Sequence, residues 1–200
     1  MTPNYWKQAT EDLIKKDQIM HKLILGSNRK MHRSNDDAFS TLVRSIIGQQ
    51  ISIKAAENIW NKLINNVSQI RADNIFNFEN SALKNCGLSQ RKIDYIRDLS
   101  SYFINNNFNE VVWSKMDDEV IISELVQVKG VGRWTAEMFL IFYMLRPNVF
   151  PVNDYGLKRA MNMHYNDNKS LNKNEIYEIS DNWKPWRSVA TWYLWQSLNS

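Results

Sequence analysis

One cysteine, Cys86, stands in 200 residues. That excludes an intramolecular disulfide and any zinc or iron–sulfur site built from four cysteines. The three histidines, His21, His32 and His164, are scattered at no ligand spacing, and are read as structural or surface residues; no metal site is expected. Glycine (six) and proline (four) are also scarce, and strand-like alternation of apolar and polar residues is almost absent. Long apolar runs are missing too. The longest, Met138 to Leu145, is far short of the ~20 residues that a bilayer demands. Glu11, Asp12 and Lys15 stand where a signal peptide would need an apolar stretch. A soluble, cytoplasmic chain with no membrane partner is expected, nucleoid-associated if bacterial.

What is present is helical. Apolar residues recur at spacings of three and four in Trp6, Leu13, Ile14, in Phe39, Leu42, Val43, Ile46, Ile47, and in Ile93, Ile96, Leu99, Phe103. The few breakers fall between such segments, at Gly26, Gly48, Gly87, Gly130, Gly132, Pro147 and Pro151. These patterns predict an all-α protein of about nine or ten helices, since ordinary helices run ~11 residues. The expected helices cover 5–24, 37–48, 52–65, 79–85, 89–105, 117–126, 132–145, 154–163, 173–182 and 186–198. Asn105 to Asn107 and Asn166 to Asn174 read as exposed loops, and the polar, basic stretch 26–37 as a connector. With 44% hydrophobic residues the chain is globular, and its length suits one core or two small helical lobes sharing a cleft. The expected organisation is a single all-α domain, 1–200. Helix 5–24 packs onto the second lobe, a central lobe spans about 36–125, a hairpin 125–136, and a C-terminal lobe 137–200.

Lys plus Arg number 25 against 21 acidic residues, a net charge of +4. That excess permits an anionic partner such as nucleic acid without demonstrating one. The stretch Leu125-Val-Gln-Val-Lys-Gly-Val-Gly-Arg-Trp-Thr-Ala136 is more specific. An apolar helix ends near Val128, Gly130 and Gly132 allow a tight turn and close approach, and a second apolar helix starts at once. Its unpaired N–H groups and positive dipole end suit an anion, and Lys129 and Arg133 bracket it with charge. A bare Gly-x-Gly is more often a packing corner, and it is the flanking residues that favour the anion site. A major-groove recognition helix does not fit: it needs exposed Arg, Asn or Gln, whereas 136–145 is an apolar run that must be buried.

Downstream, Asp154 follows a loop pinned by Pro151 and opens a helix. Asn and Asp are favoured helix caps, so capping alone would explain either residue; Asn153 can fill that role, leaving Asp154 for chemistry.

Together these segments resemble the helix–hairpin–helix–Gly/Pro–Asp superfamily of DNA glycosylases over roughly residues 36 to 198. The family's hairpin usually reads Leu-Pro-Gly-Val-Gly; here Lys129 stands where Pro is common. Asp154 matches the characteristic catalytic aspartate. Bifunctional members carry a nucleophilic lysine two residues after the second hairpin glycine, where this chain has Trp134, so no Schiff base is expected. The branch it resembles is the DNA-3-methyladenine glycosylase II type, without that enzyme's N-terminal β domain. The matching motifs are Phe39 with Arg44-Ser-Ile-Ile-Gly-Gln-Gln50, Gly87-Leu-Ser-Gln-Arg-Lys92, the hairpin itself and Trp183-Lys-Pro-Trp-Arg-Ser188.

The resemblance implies two lobes with a cleft between them, base flipping, and hydrolysis of the N-glycosidic bond of alkylated purines in double-stranded DNA by a monomer without AP lyase activity. A non-catalytic lesion-binding protein with the same hairpin is the alternative, against which Asp154 argues. The implied pocket residues are Trp134, Trp186 and Met138, the last where the family normally has a tyrosine; the implied DNA contacts are Gln50, Lys129, Gly130, Gly132, Arg133 and Thr135. Gln50 occupies the position of the wedge that fills the vacated stack, though a helix-end amide satisfying backbone groups accounts for it equally. Four of the eight tryptophans crowd into 183–195, and among these Trp192 and Trp195 read as core. No cofactor is implied beyond a monovalent ion at the hairpin main chain.

Overall fold

The computed structural model describes residues 2–27, 31, 36–106 and 110–198. His32, Asn107 and most of the 26–37 connector lie outside them. Every element among the described residues is an α-helix. In chain order these are α1 (Trp6–Lys16), α2 (Gln18–Leu25), α3 (Ala38–Gly48), α4 (Ile53–Asn66), α5 (Ala72–Asn77), α6 (Asn80–Asn85), α7 (Gln90–Asn106), α8 (Glu110–Ser114), α9 (Asp118–Leu125), α10 (Arg133–Phe142), α11 (Tyr155–Tyr165), α12 (Lys173–Asp181) and α13 (Arg187–Ser197). None of them is long and apolar enough to cross a membrane. The chain divides into two compact units, one of residues 34–139 and one of 1–33 with 140–200.

In the first unit, α3 carries the predicted stripe of Phe39, Leu42, Val43, Ile46 and Ile47, all buried, and packs on α7. There Ile93, Ile96 and Leu99 supply the facing stripe, and Phe39 meets Phe103 edge-on with ring centres 5.4 Å apart. Asp37 and Ser52 cap α3 and α4 by accepting from the Ser40 and Ala55 amides.

Two helices here were not predicted, α5 and α8. Six residues with one buried apolar side chain, Ile75, carry no readable period in α5. It is held instead by Arg97 of α7, which donates to the Ile75 and Phe78 carbonyls and to Asn80 Oδ1. Helix α8 is five residues anchored by Trp113, which packs edge-on against Phe139.

In the second unit, the single helix expected over 5–24 is two. Asp17 takes an extended conformation between them and caps α2, its Oδ1 accepting from the Ile19 and Met20 amides at 2.8 and 3.0 Å. Its Oδ2 accepts from Tyr165 Oη at 2.8 Å and Trp183 Nε1 at 2.9 Å. Burial, followed by the Asp17 charge, pushes the Tyr165 hydroxyl far above its ordinary value of 10.0. Those partners lie 148 and 166 residues downstream, so no local pattern announces the break. Trp6 of α1 is wedged against Trp192 and Tyr193 of α13, the unit's central helix.

Helix α10 ends at Phe142 rather than 145, because Leu145 turns left-handed and the Arg146 amide folds back onto the Leu140 carbonyl at 2.9 Å. Ala136, Glu137, Phe139, Leu140, Ile141 and Tyr143 are buried, as the reading against a recognition helix requires.

Candidate active site

The hairpin between α9 and α10 lies wholly in the 34–139 unit. Gly130 has φ +86°, and a Cβ there would stand 2.3 Å from the Tyr95 ring; turn and packing both demand glycine. Gly132 is different. It is not in the left-handed region, and a Cβ on it would meet no heavy atom within 4 Å. A packing corner explains the first glycine and leaves the second unexplained, whereas a close-approaching partner explains both.

The Ala136 amide is the first of the helix to bond back, to the Gly132 carbonyl at 3.1 Å. Residues 133 to 135 are the first turn, the part of a helix whose N–H groups point out of its start. Thr135 is only 3% exposed, so its hydroxyl is not a ready surface contact.

Arg133 departs from expectation. Its guanidinium holds Glu119 bidentately, with Nη1 to Oε2 at 2.9 Å, and Nε reaches Glu137 Oε1 at 3.0 Å. Two carboxylates offset its charge, so it braces α9 against α10 instead of standing ready for a phosphate. Lys129 is exposed, its amide donating to Asp98 Oδ2 at 2.8 Å. It is the cation on this hairpin that the reading of a phosphate site retains.

The segment after α3 meets the hairpin directly. Gln49 Nε2 donates to the Gly130 carbonyl at 2.8 Å, and Lys92 Nζ caps the end of α3 through the Ile47 and Gln49 carbonyls at 2.6 and 2.9 Å. Burial, then the nearby Arg91 charge, pulls the Lys92 ammonium below its ordinary pKa. The Gly-Gln-Gln and Ser-Gln-Arg-Lys motifs are therefore a clamp around the loop. Gln49, not Gln50, is the amide that satisfies backbone.

Gln50 is exposed at φ 59°, with Oε1 accepting from Arg91 Nη2 at 3.1 Å. A side chain in that conformation costs about 1–2 kcal/mol, which the surrounding clamp must offset. Gln50, Arg91, Lys129, Gly132, Trp134 and Thr135 line one open hollow of about 580 Å³. Trp134 is 47% exposed, and half-buried Met138 follows it one turn on along the same face of α10.

In the other unit, the loop before α11 is stapled by the fourth motif. Ser188 Oγ donates to the Arg146 carbonyl and accepts from the Val149 amide, at 2.6 and 2.9 Å, and Arg187 Nε donates to Asn148 Oδ1 at 2.9 Å. Trp186 is tied to the N-terminal helix. Its Nε1 donates to Asp12 Oδ2 at 2.9 Å and its ring stacks on Tyr5 at 5.6 Å. The indole expected to line a base pocket thus has one face and its N–H engaged within its own unit.

Asp154, not exposed Asn153, caps α11, its Oδ1 accepting from the Leu157 amide at 2.6 Å. The same oxygen accepts from Trp195 Nε1 at 2.8 Å. Trp192 is buried as read, but half-buried Trp195 is a partner of the carboxylate, which its helical spacing could not reveal. Capping and chemistry need not compete, since the cap occupies one carboxylate oxygen.

A glycine-turned hairpin opening a bare helix start, followed in the chain by a tethered aspartate, defines a helix–hairpin–helix protein with one candidate catalytic carboxylate. Residues 43–186 match the family described as HhH-GPD superfamily base excision DNA repair protein, and the chain belongs to it. It is 31% identical over 174 residues to DNA-3-methyladenine glycosylase 1 of Schizosaccharomyces pombe, spanning 85% of this chain and 75% of that one. A solved S. pombe 3-methyladenine DNA glycosylase in complex with abasic DNA superimposes with a TM-score of 0.85 at 28% identity, covering 96% of this chain and 97% of the other. A DNA-3-methyladenine glycosidase from Bacillus halodurans matches with the same TM-score and identity over 94% and 88%.

Proposed function

We propose that this protein is a monofunctional DNA glycosylase that removes alkylated purines of the 3-methyladenine and 7-methylguanine kind from double-stranded DNA. The observation that carries this reading is the tethered Asp154 carboxylate in a member of the base excision repair family. The names of its relatives support the alkylpurine branch.

An N-alkylated purine is cationic, so it is already a good leaving group. The N-glycosidic bond breaks with its electron pair moving onto the base, which leaves neutral. Positive charge develops on the sugar, and the Asp154 carboxylate stabilises that oxocarbenium electrostatically. Water adds its oxygen to C1′ and releases one proton, which Asp154 can accept. With no general acid required, charged lesions react well and neutral purines poorly. Trp134 offers an electron-rich face to a flipped cationic ring, and Gln50 can enter the vacated stack.

The protein acts as a monomer, holding DNA through the hairpin amides and Lys129. The hairpin carbonyls of Val128 and Gly130 accept from Val131 N–H and Gln49 Nε2. Each keeps a second lone pair, so the loop can supply neutral oxygens to a monovalent ion that would steady the turn beside a phosphate. Incubation with methylated duplex DNA, followed by chromatography of the supernatant, tests the reading. Free 3-methyladenine or 7-methylguanine with an intact strand is the expected product; binding without base release would make the protein a lesion binder.

A further inference from the structure

We infer that Trp195 is a positioning residue for the reaction, acting through its indole N–H rather than its ring face. This rests on the glycosylase reading above. Three observations converge on one oxygen. Asp154 Oδ1 accepts from both the Leu157 amide and Trp195 Nε1, at 2.6 and 2.8 Å. Two donors on one oxygen restrain the carboxylate more than the cap alone would. That restrains the direction in which the carboxylate can face a sugar.

The indole is itself held. Phe142 stacks on it with ring centres 5.9 Å apart and planes 22° off parallel, so one face is covered and the N–H edge is aimed. Position 156 is also tight against this pair. A Cβ on Gly156 would lie 3.3 Å from Asp154 Oδ1, 3.3 Å from Trp195 Cδ1 and 3.5 Å from Trp195 Nε1. Its φ is not in the left-handed region, so the backbone does not require glycine there. A methyl there would press on the Asp154–Trp195 pair and shift it by a few tenths of an ångström.

A preorganised carboxylate contributes to catalysis because it need not be reoriented as charge develops. A hydrogen bond to an ionised group is among the stronger kinds, and losing the orientation it imposes should cost roughly tenfold in rate. Trp195→Phe keeps an aromatic ring beside Phe142 while removing the N–H donor, along with part of the ring. On a duplex carrying one 7-methylguanine, its kcat should fall about tenfold with KM within twofold of wild type. Gly156→Ala should lower kcat at least threefold while holding or raising Tm, because alanine suits a helix better than glycine. A purely structural role gives the opposite pattern, a lower Tm with kcat retained.

The bond is also read without turnover. The Trp195 indole N–H signal in NMR should be protected from hydrogen exchange in the wild type and lose that protection in Asp154→Ala. If the wild type releases 7-methylguanine but Trp195→Phe keeps its kcat within twofold, or if the indole exchange rate ignores Asp154→Ala, the positioning role is refuted and the glycosylase reading stands. If the wild type releases no base, the glycosylase reading falls and takes the role with it.

Discussion

Asp154 carries two duties on one side chain, and they can be separated. Asn at 154 retains an oxygen for the Leu157 amide and the Trp195 indole, and asparagine is as good a helix cap as aspartate. It removes the charge and turns the other oxygen into an NH2 donor. Asp154→Asn should therefore keep DNA affinity and Tm near wild type while base release falls ~100-fold or more, the usual loss when one aimed electrostatic contact disappears. Near-normal turnover would remove Asp154 from the mechanism. The two hairpin cations separate in the same way. Lys129→Ala should flatten the dependence of log affinity on log salt by about one, on damaged and undamaged duplexes alike. Arg133→Ala takes a charged hydrogen bond from Glu137, which is 4% exposed. It should show chiefly as about 1.5–3 kcal/mol of lost stability in urea unfolding.

The hairpin as an element has a rigid half and a bare half. Gly130→Ala drives a methyl into the Tyr95 ring, and the resulting loss should appear as a lower Tm before any effect on binding. Gly132→Asp meets open space, so the fold should survive while a carboxylate at the helix start repels phosphate. Titrations of both variants beside their melting curves would decide it; unchanged affinity in Gly132→Asp places the DNA elsewhere.

The α9–α10 brace also predicts a pH effect. Hydrogen bonds from Arg133, the largest cause, hold the Glu119 carboxyl below its ordinary value of 4.5. A depressed carboxylate stabilises the fold above that value and loses its contribution as pH falls through its lower folded value. Urea midpoints measured from pH 6 to 3 should fall less steeply in Arg133→Ala than in wild type. Glu119 is largely exposed, so the difference will be small and largest at low salt.

For the whole molecule, the defining expectation is a product. No lysine occupies position 134, so hydrolysis should leave an intact strand bearing an abasic site. Borohydride added during reaction should trap no covalent protein–DNA adduct. A stable adduct would show that another amine acts as nucleophile and that the enzyme is a lyase as well.

The amphipathic stripes of α1, α3 and α7, the turn at Gly130 and the aspartate loop were legible in the chain, because each depends on residues within a few positions of one another. Ten of the expected helices correspond to observed ones, the first of them split in two. Tertiary structure decided the rest. Asp17 breaks the N-terminal helix because Tyr165 and Trp183 supply its second oxygen with donors. Arg97 completes α5 from a later helix, as no local cap does. In the sequence Arg133 reads as a phosphate ligand, yet Glu119 and Glu137 surround it; Trp195 reads as core, yet its N–H is on Asp154. Periodicity records which side of a helix is buried; it carries no record of which distant polar atom waits there, and those long-range hydrogen bonds assign the roles in this site.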